Sequence, residues 1–444
     1  MVELPIIHIF FSTYLFVKLH SKTYVIKTIM AKNIKSVAII GGGPAGGSLG
    51  TLLAQKGYKV GIFHTDKRPP LIVGESLLPA VIPMLRKLGI EDEVKSFSIY
   101  KPGATVWLGH DEVITSFFSW ADGRLPDYAY NTQRDLFDLA VLNASEKAGA
   151  KIFRMPAKLE KGTEPNTVQL SKETLDKTEG FFGEKPDLII DASGRGRILS
   201  RLMEAPVKMG GRKDVALFAH LDKCFMTDPG NIHVDRHTRG WGWRIPLPGK
   251  FSVGIVINPK HLEKFGDDPE AQYDNFIREE AGLKIFTEGA KRLTPVVKYT
   301  NYQLISQKMY GPGWAMAGDA AGFIDPIFST GLYLSMKGAF ELFKAIESEN
   351  ENSMQKYEDG RHWELKMWQG IIESWYNGRL FSLYRAGQKQ KSNPIGAAIA
   401  PHVQKHLTRI FTGQAVDDIY SRKLFEYLTA FGTVMRNPKD LVVN

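Results

Sequence analysis

Two short apolar runs near the start of the chain, over Ser36–Ile40 and Lys59–Phe63, stand on either side of a glycine-rich segment. Unbroken apolar runs of this length predict parallel strands that are buried on both faces. Residues 47–56, between the glycines and the second run, predict a helix. Strand, turn, helix and strand in this order predict a βαβ unit and therefore an α/β fold.

The turn of this unit follows the G-x-G-x-x-G pattern with Gly41, Gly43 and Gly46, and Ala45 precedes the last glycine. Such glycines let the backbone bend, approach a pyrophosphate and pack helix on strand, while the helix N-terminus supplies N–H groups and a positive dipole. A glycine-rich turn without a ligand is the alternative. The second strand ends at His64 and not at the acidic residue that usually binds the ribose, so the ribose contact stays open.

Later segments predict further strands that end in turns. Residues 133–149 have apolar positions at helical spacing and lead into a predicted strand over 150–155. Residues 187–191 predict a strand that runs into a glycine turn, and residues 314–326 predict a strand followed by a turn that carries Asp319. We expect Asp319 to hold a hydroxyl of the same ligand, because three separated turns then meet at one site.

The middle of the chain has a different pattern. WGWRIPL and KFSVGIVIN stand on either side of a Pro-Gly turn at 248–249 and predict an antiparallel hairpin. Trp241, Trp243 and Ile245 project to one face of a strand and form an apolar wall, and Pro246 is predicted to end that strand. Core packing without a catalytic role is the alternative. Residues beyond about 350 predict mostly helix, with an aromatic stripe that favours packing over binding.

Composition narrows the function classes. The 444 residues are 43% hydrophobic and 24% charged, as in ordinary globular proteins, and the net charge of +9 is spread without a long Lys/Arg run, so no nucleic-acid partner is expected. Cys224 is the only cysteine, which excludes an intrachain disulfide and fits a reducing, cytoplasmic compartment. The dispersed histidines predict no metal site. Residues 1–29 predict a dispensable extension, with a loose membrane-surface anchor as the less favoured alternative.

From about residue 34 to 345 the sequence resembles the FAD-dependent aromatic hydroxylases. The resemblance implies an α/β fold in which a Rossmann-like FAD-binding domain of the flavoprotein-monooxygenase type is interleaved with an antiparallel-sheet substrate domain, followed by a helical C-terminal region. It also implies that Arg134 reaches toward FAD, although a surface arginine is the alternative. The implied boundaries are 30–200 and 310–348 for the FAD-binding domain (with a substrate-side segment near 95–130), 201–309 for the substrate sheet and 349–444 for the helical region.

Within that superfamily, Trp241, Trp243, Ile245 and Pro246 match the W-x-W-x-I-P signature of flavin-dependent halogenases. The segment DPIFSTG over 325–331 precedes an apolar helix, and a helix N-terminus is a ready anion site. In the halogenases which this chain resembles, the Ser/Thr-Gly pair holds halide beside the flavin.

The implied halide ligands are therefore Thr330 and Gly331, with Gly331 also near the cofactor. The alternative is that this turn serves only the flavin edge, as in the hydroxylases.

The segment VGESLLP over 73–79, with Glu75 and Ser76, resembles the cofactor-side pattern of the halogenases. A predicted helix over 80–88 follows, and Lys101 then stands at the position of the essential lysine. A solvated surface lysine is the alternative. The resemblance implies that reduced FAD, O2 and chloride or bromide generate hypohalous acid, and that Lys101 directs the electrophilic halogen to an arene.

One departure from the family concerns the substrate. Tryptophan-specific members carry a glutamate just before the S-T-G element, where this chain has Phe328. Phenols and pyrroles, free or tethered to an acyl or peptidyl carrier protein, are therefore the expected substrates, and a separate flavin reductase is the expected partner. The rival hypotheses are an FAD-dependent aromatic hydroxylase that uses NAD(P)H, a prenyl-chain reductase of the same superfamily and a non-enzymatic flavin-binding module.

Overall fold

The computed structural model describes residues 34–66, 69–109, 112–237, 239–300, 303–390, 393–430 and 441–443. The predicted extension over residues 1–29 lies outside the described residues. The strands, in chain order, are β1 (Ser36–Ile40), β2 (Lys59–Phe63), β3 (Ser98–Lys101), β4 (Gly103–Gly109), β5 (Glu112–Phe117), β6 (Ala129–Thr132), β7 (Lys151–Phe153), β8 (Leu159–Lys161), β9 (Val168–Leu170), β10 (Leu188–Asp191), β11 (Val207–Met209), β12 (Val215–Leu221), β13 (Ile232–His237), β14 (Gly240–Leu247), β15 (Lys250–Ile257), β16 (Val297–Thr300), β17 (Leu304–Ser306), β18 (Tyr310–Gly311), β19 (Trp314–Met316) and β20 (Gly322–Phe323).

Helices connect and cover these strands. They are α1 (Pro44–Gln55), α2 (Ile82–Leu88), α3 (Glu91–Ser96), α4 (Arg134–Lys147), α5 (Lys172–Asp176), α6 (Ile198–Leu202), α7 (Pro259–Leu262), α8 (Pro269–Glu279), α9 (Ala281–Phe286), α10 (Thr330–Glu347), α11 (Ser353–Tyr376), α12 (Arg379–Gln390), α13 (Pro394–Thr412) and α14 (Ile419–Ala430). The predicted helix over 80–88 begins as a short 3-10 turn over Pro79–Val81 and continues as α2.

The first sheet has the strand order β18-β19-β10-β1-β2-β7. Strand β1 lies between β2 and β10 and pairs with both in parallel, with Val37 opposite Val60 on one side and Leu188 on the other. All five residues of β1 are buried, as its unbroken apolar run predicts. The predicted βαβ unit is confirmed, and the carboxyl ends of β1, β10 and β19 lie at one edge of the sheet, where open α/β sheets bind ligands.

The second large sheet has the order β16-β12-β15-β14-β13-β4-β5 and is antiparallel except where β13 pairs with β4. The predicted hairpin is confirmed as β14 and β15. The prediction that Pro246 ends its strand is wrong, because β14 continues to Leu247 and Pro246 pairs with Phe251. Since β13 pairs with β14 only up to Arg244, Pro246 has a strand partner on one side alone, where a missing N–H is tolerated.

The C-terminal part of the described chain is helical, as predicted. Helix α10 packs against α1 and α11, and α12, α13 and α14 pack against one another and onto β5 and the turn that follows it. One large hydrophobic core joins the first sheet to α10 and α11, and a smaller core lies under α8 and α9 on the other face of the second sheet. The fold therefore brings the edge of the first sheet, the second sheet and the C-terminal helices together around the predicted site.

Candidate active site

A cavity of about 670 Å³ lies at the carboxyl ends of β1, β10 and β19 and extends to the start of α10. Its walls come from the glycine turn, the segment after β2, the start of α4 and the turn after β19. The predicted cofactor residues that line it are Gly41, Gly43, Ala45, Ser76, Arg134, Asp319 and Gly331. His64 also lines it, next to Asp66 at an Nε2 to Oδ1 distance of 3.7 Å.

Glycine serves a different structural purpose at each of the three positions of the turn. Gly41 has φ +109°, and a Cβ there would lie 2.4 Å from the carbonyl oxygen of Ala192 on the neighbouring turn. A Cβ on Gly46, which does not line the cavity, would lie 1.9 Å from the carbonyl oxygen of Gly41, so this glycine permits close packing of helix on strand. A Cβ on Gly43 would meet no protein atom within 4 Å. Gly43 therefore leaves space on the cavity side, where a pyrophosphate would approach.

Two charged side chains face the cavity, one from α4 and one from the turn after β19. Arg134, at the first residue of α4, is held by the carbonyl oxygen of Val73 and by Asp138, whose Oδ1 accepts from Nε at 3.1 Å. Its side chain is therefore fixed and mostly buried. Asp319 lies in the turn after β19, and burial raises the pKa of its carboxyl to about 6, against the lowering effect of the nearby guanidinium of Arg134. Both positions suit contacts to the polar parts of a large cofactor.

The segment that carries Glu75 and Ser76 crosses from the cavity to the second sheet. Ser76 lines the cavity, and its buried Oγ has no hydrogen-bond partner among the described residues. Glu75 does not line the cavity, and its Oε1 lies 2.8 Å from Nε2 of buried His220 on β12. Ser76 therefore fits a direct cofactor contact, whereas Glu75 ties this segment to the second sheet.

The start of α10 forms the far end of the cavity. Ser329 has φ +57°, which turns the chain sharply into the helix, and Ser329 and Gly331 line the cavity. Thr330 is fully buried, and its Oγ1 lacks a hydrogen-bond partner among the described residues. The first turn of α10 carries no acidic side chain. An unpartnered hydroxyl at a helix N-terminus suits an anion, because the helix dipole and the free N–H groups favour negative charge.

Lys101 ends β3 and is only 1% exposed. Its Nζ donates a hydrogen bond to the carbonyl oxygen of Leu77 at 2.8 Å and lies 5.4 Å from the ring centroid of Phe118. Burial lowers the pKa of this amine to about 7. Lys101 does not itself line the cavity, but Leu77 directly follows Ser76, which does.

The predicted apolar wall on β14 lies behind the cavity. Trp241, Trp243 and Ile245 are buried, and the two indole rings lie 5.8 Å apart. Trp243 packs against Phe218, which packs against Tyr299, a residue that lines the cavity. None of Trp241, Trp243, Ile245 and Pro246 lines the cavity, and Trp243 reaches the lining residue Tyr299 only through Phe218.

Comparison with known proteins identifies the family. The sequence matches the tryptophan halogenase family over residues 117–384 and an FAD binding domain over residues 35–179. The chain belongs to the tryptophan halogenase family. It is a flavin-dependent halogenase, and the halogenase interpretation is confirmed over the rival hydroxylase interpretation.

The relatives agree with this assignment, and a solved structure shares the fold. The halogenase is 28% identical to a tryptophan 2-halogenase of Chondromyces crocatus over 383 residues, which cover 81% of this chain and 72% of the relative. It is 25% identical over 439 residues to the 1H-pyrrole-2-carbonyl peptidyl-carrier-protein chlorinase of Pseudomonas fluorescens, covering 90% and 92% of the two chains. The myxobacterial chondrochloren halogenase shares the fold, with a TM-score of 0.68, 23% identity and coverage of 92% and 99%.

Sequence reasoning missed a buried chain of hydrogen bonds in the halogenase. Nε1 of Trp241 donates to Oη of Tyr376 at 3.0 Å, and that hydroxyl donates to Oδ2 of Asp325 at 2.9 Å. Oδ1 of Asp325 accepts from the backbone N–H of Ile327, three residues before Thr330. Burial raises the pKa of Tyr376 far above its usual range, so the phenol stays protonated and donates. The network joins the second sheet to the loop that leads into α10.

Phe328 precedes the Ser-Thr-Gly element and is buried. Its ring packs edge-on against Trp375 of α11 and Phe411 of α13, with centroid distances of 5.9 Å to each. An apolar aromatic cluster therefore occupies the position directly before the Ser-Thr-Gly element, where this chain has no glutamate.

Two kinds of feature are absent from the described part of the chain. No helix there is long and apolar enough to cross a membrane. No cluster of three or more His, Cys, Asp and Glu side chains suited to a metal ion occurs among the described residues.

Proposed function

We propose that this halogenase uses reduced FAD, O2 and chloride or bromide to halogenate an electron-rich aromatic compound of the phenol or pyrrole class, and that Lys101 transfers the halogen. The observation that carries the proposal is Lys101 itself. A lysine at 1% exposure with a pKa near 7 is partly neutral at neutral pH, and only the neutral amine has the free electron pair that a nucleophile needs.

The residues around the large cavity fit FAD. The turn at Gly41, Gly43 and Ala45 would take the pyrophosphate, while Arg134 and Asp319 would contact the polar groups of the cofactor. Gly46 would not contact the cofactor but lets the helix pack closely against the turn. When bound and reduced, FAD supplies the reaction with O2 that converts halide to hypohalous acid.

Halide would bind at the start of α10. Thr330 offers a buried hydroxyl that has no hydrogen-bond partner among the described residues, and the backbone N–H groups near Gly331 lie at the positive end of an 18-residue helix. These groups would hold the anion beside the cofactor and remove part of its hydration shell.

Lys101 would then react with hypohalous acid. The neutral Nζ attacks the halogen, and the N–X bond forms as the O–X bond breaks. The departing hydroxide takes up one amine proton and leaves as water. The arene attacks the halogen of this haloamine, the C–X bond forms as the N–X bond breaks, and the nitrogen takes up the ring proton, which regenerates the amine. The hydrogen bond from Nζ to Leu77 fixes the position of the nitrogen during this transfer.

The substrate class rests on Phe328. Because this position offers no carboxylate to accept the ring proton, the arene must supply its own electron density, as phenols and pyrroles do. The similarity to a chlorinase that acts on a carrier-bound pyrrole supports this class and supports a carrier-tethered substrate as one form of it. A separate flavin reductase would supply the reduced FAD.

The test compares Lys101→Ala, Lys101→Arg and the exposed control Lys95→Ala with the wild type. Each protein receives chemically reduced FAD, O2, bromide and a panel of phenols, pyrroles and indoles, and products are measured by mass spectrometry. Both Lys101 variants should bind FAD and consume reduced flavin at the wild-type rate but release free hypohalite or peroxide. Arginine should fail because a permanently charged guanidinium cannot form a haloamine.

Halogenated product from Lys101→Ala at near the wild-type rate would show that another group transfers the halogen. Substrate-dependent oxidation of NADPH by the purified protein alone would contradict the need for a separate reductase.

A further inference from the structure

A second cavity of about 460 Å³ lies between β5 and the helices α11 to α14. It shares no lining residue with the FAD cavity. Its volume falls in the range of roughly 300–1,000 Å³ that is typical of sites for drug-sized ligands. We name it the helical cavity. The volume of the helical cavity exceeds the volume that a single aromatic ring occupies.

The lining of the helical cavity is apolar. None of the described residues that line it is charged, and its polar groups are hydroxyls and amides such as those of Ser116, Thr408 and Gln404. At its mouth, Ile395 and Ile399 are 71% and 51% exposed although they are large hydrophobic residues. Exposed apolar side chains around a cavity mark a site for an apolar ligand. A zwitterionic amino acid would lose its hydration there without gaining an opposite charge.

The helical cavity leads toward the proposed halogen-transfer residue. Ile114, Thr115 and Ser116 of β5 line the cavity, and Phe118 follows two residues after Ser116, at the start of the short 3-10 turn after β5. The Phe118 ring lies against Nζ of Lys101.

A second route of contact reaches the start of α10. Trp375 and Phe411 line the helical cavity, and both rings touch Phe328. Phe328 in turn is bonded to Ser329, which lines the FAD cavity. Phe328 therefore connects residues that line the helical cavity to a residue that lines the FAD cavity.

We propose that the helical cavity binds the uncharged apolar extension of the aromatic substrate, so that the natural substrate is a neutral arene with an alkyl or acyl chain or a fused ring system, and not a free amino acid. This inference rests on the proposed function, because it places the reacting ring near Lys101. The hydrophobic lining would position the ring by binding its extension.

The probes are 4-methylphenol, 4-hexylphenol and 5-(4-hydroxyphenyl)pentanoate, which resembles the hexyl compound in length but ends in a carboxylate. Burial of each added methylene should raise kcat/KM for bromination up to about fourfold. We therefore expect 4-hexylphenol to exceed 4-methylphenol by about 10²-fold or more in kcat/KM. The carboxylate compound should show little or none of this gain. Binding of 4-hexylphenol to the enzyme without halide is measured in parallel by calorimetry.

Two variants are designed to fill the helical cavity, one from α13 and one from α12. Ala400→Trp on α13 and Ala386→Trp on α12 each place an indole into the cavity, while Ala398→Trp adds the same group to the exposed side of α13 and serves as the matched control. Both filling variants should lose binding of 4-hexylphenol and the advantage of the hexyl chain over the methyl group. The control should retain both properties, and FAD binding together with the melting temperature reports whether each variant is folded.

The outcomes separate this inference from the proposed function. Equal kcat/KM for the methyl and hexyl compounds, or a hexyl advantage that survives both filling variants, would overturn the helical cavity as the substrate site while leaving the halogenation proposal intact. Binding of 4-hexylphenol that only the filling variants abolish, without bromination of any phenol, would support the cavity and refute the phenol class.

Discussion

The buried amine of Lys101 predicts an unusual dependence of stability on pH. Its pKa falls from 10.5 to about 7 on burial. Below pH 7 both the folded and the unfolded states are protonated, and the folded protein bears the full penalty of a buried charge, about 5 kcal/mol from the size of the shift. Between pH 7 and 10.5 the unfolded state binds more protons than the folded state, so this contribution to stability rises with pH.

The perturbation is Lys101→Met, which keeps the length and apolar character of the side chain but removes the charge. The penalty in the wild type is about 5 kcal/mol at pH 6 and about 2 kcal/mol at pH 9. The free energy of unfolding of the wild type relative to the variant should therefore rise by about 3 kcal/mol between these pH values. All other titrating groups are common to both proteins, so their contributions to the pH dependence of the free energy of unfolding largely cancel.

The assay is urea denaturation of both proteins at pH 6 and pH 9, with Lys95→Met as the surface control. The control should differ from the wild type by the same small amount at both pH values. In parallel, the bromination rate of the wild type should rise about tenfold from pH 6 to pH 8 as the neutral fraction of the amine increases. Parallel stability curves for the wild type and Lys101→Met would refute the lowered pKa and with it the reason for assigning the transfer step to Lys101.

Three further predictions concern the cofactor, the substrate and the buried network. Gly43→Val should keep its melting temperature, because its Cβ meets no protein atom, but lose FAD binding in a fluorescence titration; Gly211→Val, at an equally open site outside the cavity, should bind FAD normally. Because Phe328 replaces a carboxylate, phenols should be halogenated about 10²-fold or more faster than free tryptophan, and efficient chlorination of free tryptophan in product analysis would contradict this. Tyr376→Phe removes the acceptor of the buried indole N–H of Trp241 and one donor to the carboxylate of Asp325, so it should cost about 1–3 kcal/mol in urea denaturation and raise the KM for bromide by loosening the loop before Thr330; an unchanged KM would separate the network from halide binding.

The sequence predicted the parts of the site that depend on local patterns. The glycine turn after β1, the hairpin of β14 and β15 and the helix that starts at Thr330 each carry their signal within about ten residues. Lys101 was located by resemblance, but its burial depends on Phe118 and Leu77, which no local pattern connects to it.

Long-range partners were not predictable in this way. Glu75 meets His220 across 145 positions of the chain, and Trp241 meets Tyr376 across 135. The error at Pro246 has the same origin, because a proline is compatible with the middle of a strand only when the neighbouring strand stops short, and that length is set elsewhere in the sequence.

The central position of β1 in its sheet has a consequence for biosynthesis. One edge of β1 can pair with β2 soon after both strands leave the ribosome. The other edge stays unpaired until β10 is synthesised, about 150 residues later, which takes roughly 7–30 s at ordinary elongation rates. During that interval a row of unpaired backbone groups is open to other nascent chains. FAD cannot act as a folding template in this period, because its cavity also needs Asp319 and the start of α10. The yield of active enzyme in a heterologous host should therefore respond more to translation speed and chaperone supply than to added riboflavin.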